Sequence, residues 1–358
     1  MPIDNAKLEA FMGKMVGEMG AAMNATLILL GDRLGLYKAM AGEGPMTSAQ
    51  LARKTSLAER NVREWLNAQA AGGIVTYADN GPGEEGTYTL PEEQTLALAV
   101  EGSPVFLCGA YQILASVNKD LPKIEEAFKS GKGLGWHEHD VCLFRGTERF
   151  FRPAYAANLI SSWIPALEGM RQKLEAGATV ADVGCGHGSS TILMAQSFPN
   201  STFFGFDYHD ASISSAQLAA EEAGLADRIT FQVAPAKGFP RFAGGYDLVT
   251  FFDCLHDMGD PVGAARHVKS TLKPDGAWMI VEPMAGDSTA DNLHPVGRLF
   301  YCASTMICTP ASLSQEVGAA LGAQAGEKRL REVLEAAGFS RVRRAAETPF
   351  NMILEARA

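Results

Sequence analysis

The chain has 358 residues, a length that suggests two domains or one domain with a large appendage, and its 47% apolar and 20% charged content excludes the disordered and collagen-like classes. Asp4 and Glu9 stand where a secretory leader needs basic residues, and no run approaches the roughly 18 apolar residues of a membrane span, so neither export nor membrane insertion is expected. Six cysteines with no C-x-x-C pair fit free thiols in a reducing compartment, which makes the expected location cytoplasmic, and a net charge of -10 disfavours nucleic acid unless a local basic patch compensates.

In chain order, Leu27, Leu30, Leu34, Tyr37 and Met40 recur at three- and four-residue steps, which predicts an amphipathic helix over about 25–41. Thr47 and Ser48 supply cap chemistry for a second helix, and AERNVREWLNAQAA gives a third, stopped by Gly72 and Gly73. IVTYAD and GTYTL flank the turn-rich DNGPGEEG and predict a hairpin over 74–90. Three helices followed by a hairpin is winged-helix order. Residues 1–100 carry eight Lys and Arg against twelve Asp and Glu, and the hairpin tip holds Glu84 and Glu85 where a DNA-binding wing wants basic residues. The expected role of this domain is scaffold or dimerisation. Met12, Met15, Met19 and Met23 add a stripe suited to packing or a dimer seam.

Residues 101–172 read as a mainly helical connector with Pro153 and Pro165 as breakers and with GKGLG followed by His137, Glu138, His139 and Asp140 as a flexible loop. That dense run is ligand-like, but no metal is expected there. From 173 to 358, short apolar runs alternate with helical segments, which predicts an α/β doubly wound sheet. Two closing strand candidates, VRRAA and NMILEAR, form an antiparallel hairpin after a helix capped by Gly338.

The sharpest motif is ADVGCGHGSS. Asp182 precedes Gly184, Gly186 and Gly188, and a helix opens directly behind them, so backbone can approach a ligand at a helix N-terminus. Nineteen residues after Gly188, at the end of the next strand, Asp207 is placed to accept ribose hydroxyls, with Tyr208 beside it to cover an adenine. Ser189 stands where a dinucleotide fingerprint needs Gly or Ala, which disfavours a nicotinamide oxidoreductase. D-x-G-x-G-x-G instead suits a cofactor bearing an ammonium group, as S-adenosylmethionine does.

On these residues the 175–358 segment resembles the class I S-adenosylmethionine-dependent methyltransferases, whose Rossmann-like sheet ends in an antiparallel hairpin. The resemblance assigns cofactor binding to Asp182, Gly184, Gly186, Gly188 and Asp207, and Tyr208 and Asp253 are expected at the same site. FQVAPAK departs from the family at Ala234 and Pro235, where an acid often meets the adenine.

The fourth strand of this segment runs into Asp253-Cys-Leu-His256-Asp257, and the fifth ends at Glu282, so His256, Asp257 and Glu282 fall at the carboxyl rim where ligands bind. An imidazole there can take a proton from a hydroxyl as a methyl arrives. Here the resemblance narrows to two-domain small-molecule O-methyltransferases with a winged-helix-like dimerisation domain. It implies His256 as general base and Glu282 as its assistant, with Asp257 in support. Met258 replaces the family's tryptophan.

The stretch 286–310 is too long for a plain connection and is the expected substrate lid. Trp163, Tyr155, Phe300, Tyr301 and Met306 are expected to line an acceptor cavity, with Phe150, Arg152 and Asn158 facing it. The expected organisation is a dimerisation domain over 1–100, a connector over 101–172 and a catalytic domain over 173–358. The expected protein is a homodimeric methyltransferase acting on a hydroxyl of a hydrophobic, aromatic small molecule, with S-adenosylmethionine as cofactor. The rival reading is a ligand-sensing winged-helix regulator with a non-catalytic methyltransferase fold.

Overall fold

The structure, a computed structural model, describes residues 3–357. It divides into two compact units, one of Met1–Ala115 with Arg145–Pro153, the other of Ser116–Phe144 with Ala154–Ala358. The expected connector is thereby shared between them.

The first unit is helical with one small hairpin. Helices α1 (Asn5–Arg33), α2 (Leu36–Met40), α3 (Ser48–Thr55) and α4 (Glu59–Ala71) lead to strands β1 (Thr76–Ala78) and β2 (Thr87–Thr89), paired antiparallel, and then to α5 (Glu92–Leu98). The helix expected over about 25–41 is in fact two. Gly35 adopts a left-handed conformation that ends α1 and starts α2, a break that the apolar spacing hides because both pieces face one core. α3 opens with a capping box in which Thr47 and Gln50 satisfy each other's backbone N–H groups. α4 buries Val62, Trp65, Leu66 and Gln69, the i, i+3, i+4, i+7 stripe of a core-facing helix. Gln69 is fully buried and holds Tyr37 Oη and Asn24 Oδ1 at 2.6 and 2.7 Å. Only Ile28, Leu29 and Gly31 of the 29-residue α1 are buried.

Next come α6 (Cys108–Lys119), α7 (Leu121–Ser130) and α8 (Cys142–Asn158), a π-helical turn over Leu159–Trp163, α9 (Ile164–Ala166) and α10 (Met170–Ala176). Pro153 does not break the chain as expected: it lies inside α8, where the helix gives up one backbone hydrogen bond. Pro165 sits in the first turn of α9, where a missing N–H costs little. The expected flexible loop after GKGLG is ordered. Trp136–Glu138 form a 3-10 turn, and the buried His139 places Nδ1 3.0 Å from Asp120 Oδ2.

The second unit alternates as its sequence predicts: β3 (Thr179–Val183), α11 (Ser189–Ser197), β4 (Thr202–Asp207), α12 (Asp210–Glu222), β5 (Ile229–Val233), β6 (Tyr246–Phe252), α13 (Pro261–Thr271) and β7 (Leu272–Pro283). The stretch proposed as a lid is helical, comprising α14 (Pro295–Ala303), a π-helical turn over Ser304–Cys308 and α15 (Thr309–Leu313); α16 (Gly326–Ala336), β8 (Arg341–Glu347) and β9 (Asn351–Arg357) close the chain. The seven-stranded order is β5-β4-β3-β6-β7-β9-β8, with β3 to β7 parallel and β9 antiparallel to both β7 and β8. Every residue of β6 is buried, as a central parallel strand requires. Strand order reverses between β3 and β6, so the crevice beyond their carboxyl ends is where a ligand belongs. No helix among the described residues is long and apolar enough to cross a membrane, and all six cysteines are free.

Candidate active site

The glycine loop leaves β3 at that crevice. Its three glycines are left-handed, and each answers a different constraint. A Cβ on Gly184 would stand 2.8 Å from Cys254 Sγ and one on Gly188 2.6 Å from the Phe231 ring, whereas one on Gly186 meets nothing within 4 Å. Gly186 is therefore the place where the backbone is open to a ligand.

Asp182 anchors the loop from below. Its carboxylate is buried and accepts from Ser190 Oγ and Thr191 Oγ1, both at 2.6 Å, and from Thr250 Oγ1 at 3.0 Å. Burial raises its pKa and the three hydroxyls pull it partly back. Asp182 fixes the loop to the first turn of α11.

Asp207 faces the same loop from the end of β4. One oxygen accepts from the Gly186 N–H at 3.0 Å and the other from the His209 N–H at 2.9 Å, which holds the carboxylate edge-on and leaves further lone pairs for a diol. Burial raises its pKa, against the lowering effect of those two N–H groups. Tyr208 is exposed, with His137 edge-on at 6.2 Å, and His209 stacks on Phe144 at 4.5 Å. The loop, Gly186 and Asp207 have the donor and acceptor set of a nucleoside cofactor, and the open space over Gly186 fits one.

Across the crevice, β6 ends and the chain turns through Leu255–Asp257. Asp253 takes a left-handed φ of 50°, a strained value for a non-glycine residue, and its carboxylate is held by Tyr155 Oη at 2.9 Å and Asn351 Nδ2 at 2.8 Å. Burial, reinforced by the charge of Glu282, pushes the Asp253 carboxyl up to about 7. Both of its oxygens are thus engaged by the protein.

Glu282, at the end of β7, clamps the turn. One carboxylate oxygen accepts from the Leu255 N–H at 2.9 Å and the other lies 2.6 Å from His256 Nδ1, with both side chains buried. Nδ1 therefore carries the proton and Nε2 is the nitrogen left to act. Burial disfavours a charged imidazole, but the carboxylates of Glu282 and Asp257 outweigh it and raise the His256 pKa well above its ordinary 6.5. Asp257 Oδ1 lies 3.2 Å from Nε2 without a hydrogen-bond partner, while Oδ2 accepts from Trp136 Nε1 at 2.9 Å.

The structure thus brings His256, Asp257, Glu282, Asp253 and Tyr155 together. Trp163 is nearly fully buried beside Tyr155, ring centroids 6.0 Å apart. Phe300 is buried and Tyr301 half-buried on α14, and Met306 shares the π-helical turn with Cys308, which faces His256 and Asp257. Sequence reasoning passed over Trp136, Asn351 and Cys308. No local signal marks them, because their partners lie far away in the chain.

The fold and site define a class: a class I methyltransferase sheet in the same chain as a winged-helix unit. Residues 174–338 match the family model described as a methyltransferase domain, and residues 22–99 match that of an Rv2258c-like winged HTH domain. The chain therefore carries both domains. Among solved structures, mitomycin 7-O-methyltransferase MmcR shares the fold with a TM-score of 0.70 at 20% identity, covering 99% of this chain and 100% of that one. Human N-acetylserotonin methyltransferase, solved in complex with SAM, gives a TM-score of 0.69 at 16% identity, covering 97% of each chain. A ubiquinone biosynthesis O-methyltransferase of Bordetella avium is 34% identical over 155 residues, 43% of this chain and 58% of its own length. A 27-O-demethylrifamycin SV methyltransferase of Amycolatopsis mediterranei is 28% identical over 131 residues, 35% of this chain and 48% of its own length. The chain spans about half the length of the curated relatives it matches.

Proposed function

We propose that this chain binds S-adenosylmethionine and methylates a hydroxyl of a hydrophobic, aromatic small molecule, acting as a homodimer in the cytoplasm. The observation that carries the reading is the buried His256–Glu282 pair at 2.6 Å, on the same strand rim as the Gly186–Asp207 crevice. When bound, the cofactor supplies a methyl group made electrophilic by its sulfonium. Asp207 receives the ribose hydroxyls, the Gly186 backbone lets the ligand approach, and Asp182 keeps the loop rigid through its three hydroxyl partners. Asp182, Gly184, Gly188, Tyr208 and Asp253 then act as frame and cover rather than as a set of equal contacts.

His256 Nε2 accepts the proton of the acceptor hydroxyl while the oxygen lone pair forms the new O–C bond and the S–C bonding pair returns to sulfur. Glu282 keeps the Nδ1 proton in place and offsets the positive charge that develops on the ring. To reach Nε2 the hydroxyl has to enter beside Asp257, whose Oδ1 lies 3.2 Å from that nitrogen and offers it an acceptor. Tyr301 and Met306 are the half-buried side chains proposed to meet an aromatic acceptor, with Phe300, Tyr155 and Trp163 behind them.

The regulator reading has less support. On α4, the helix that would enter a DNA groove, Arg60 and Arg63 are paired with Glu64 and Glu59. Phosphate would have to compete with those carboxylates.

The test is calorimetric titration with S-adenosylhomocysteine, followed by methyl transfer to a panel of phenols. Wild type is expected to bind at micromolar ligand and Asp207→Ala to lose at least tenfold in affinity. His256→Ala is expected to bind normally and lose about 10^2 to 10^4 in turnover, the usual contribution of a general base. Full turnover by His256→Ala sinks the base assignment, and no binding at millimolar ligand sinks the cofactor.

A further inference from the structure

His256, Asp257 and Cys308 present Nε2, a carboxylate oxygen and Sγ to one another, all within 4.8 Å and all buried. From this geometry we propose a binding site for a zinc-class divalent cation, formed by His256 Nε2, Asp257 Oδ1 and Cys308 Sγ. The cluster, whose ligand atoms lie within 4.8 Å of one another, has to contract slightly to take the ion. Bonds of about 2.0–2.1 Å to N and O and about 2.3 Å to S at tetrahedral angles give edges of roughly 3.3–3.6 Å between ligand atoms. The Nε2 to Oδ1 edge is already 3.2 Å.

Each of the two harder ligands is also oriented from behind, as metal ligands usually are. Glu282 holds His256 through Nδ1 at 2.6 Å, which turns the lone pair of Nε2 toward the cluster. Trp136 holds Asp257 through Oδ2 at 2.9 Å and leaves Oδ1 buried without a hydrogen-bond partner. That oxygen faces Nε2 at 3.2 Å, an ion pair when the ring is protonated, and a cation between the two takes the place of that proton. Histidine, carboxylate and thiolate together select zinc or cobalt over magnesium or calcium, which prefer oxygen alone.

Binding releases the Cys308 thiol proton to the buffer, and any proton on Nε2 leaves with it, so the metal replaces hydrogen ions one site at a time. Three protein ligands leave one tetrahedral position for water. The site does not depend on the proposed reaction, but one consequence rests on it: a cation on Nε2 takes the lone pair that His256 needs as a base, so zinc inhibits methyl transfer.

The experiment uses the full chain, dialysed against chelator and titrated with cobalt(II) alone. A single equivalent is expected to bind with the near-ultraviolet charge-transfer band of a thiolate ligand. That band is expected to vanish in Cys308→Ser, to persist in Cys302→Ser, which removes the exposed thiol, and to need 10- to 100-fold more metal in Trp136→Phe. No band in the wild type, or a band that survives Cys308→Ser, overturns the site. Zinc is expected to suppress turnover and chelator to restore it, with Cys308→Ser at least tenfold less sensitive. A cobalt band of the expected origin with turnover untouched by zinc upholds the site and counts against His256 as base.

Discussion

At the scale of single residues, the site is governed by how few buried charges surround one imidazole. His256 has a carboxylate near each ring nitrogen, and both raise its pKa against the opposing effect of burial. The sign follows: below that raised value the ring is protonated and cannot accept a proton, so turnover falls as pH decreases through it. Glu282→Gln removes one of the two charges, which lowers the His256 value and carries the acidic limb of the kcat profile to lower pH. Its plateau is expected to drop as well, by about tenfold or more, because the imidazolium formed in the transition state loses its counter-charge. A pH–rate profile of the two proteins checks both effects, and a limb that stays in place shows that another group titrates. Asp207 and Asp182 show a further residue-scale point: two acids of one motif, one still open to a ligand and one consumed by Ser190, Thr191 and Thr250.

At the scale of elements, the segment after α7 decides how Asp257 stands. Leu134 N–H donates to Pro310 O at 2.9 Å on α15, and two residues on, Trp136 reaches Asp257. Gly133 is left-handed, and a Cβ there would press into the Pro310 carbonyl and the backbone of Leu313 and Ser314. Gly133→Ala is expected to cost about 1–3 kcal/mol, combining left-handed strain with overpacking against backbone that cannot move aside. Thermal unfolding reads the loss, and an unchanged Tm would mean that the segment repacks. This tether is invisible in the sequence. GKGLG reads as flexible because five residues of that composition have no local reason to be fixed, and the reason is a carbonyl more than 170 residues away.

At the scale of the whole molecule, α1 carries the clearest unassigned surface. Leu8, Phe11, Met12, Met15, Val16, Met19 and Met23 are exposed along it, more apolar surface than a lone helix normally shows water. A second copy of the chain is the partner proposed above. Met15→Glu with Met19→Glu is expected to convert a dimer into a monomer by light scattering, with the core beyond Ile28 undisturbed. A wild type that is already monomeric removes the homodimer from the proposal. The acidic winged unit belongs to the same scale, since its charge balance and its paired Arg60 and Arg63 leave no basic face on α4 for a duplex.

The sequence by itself determined the alternation of β3 to β7, the terminal hairpin, the glycine loop and the order His256, Asp257, Glu282, because each is written in a local period or in residues that must end a strand. The strand ends likewise bring Asp207 and His256 to one side of the sheet. Only the tertiary structure decided that α1 and α2 are separate, that Pro153 stays within a helix, that Asp182 is spent on hydroxyls, and that Trp136, Asn351 and Cys308 complete the site. The physical reason is range. Periodicity and caps act over a few residues, whereas hydrogen bonds between Trp136 and Asp257 or Asn351 and Asp253 join positions about a hundred residues or more apart, and no window on the chain contains both partners.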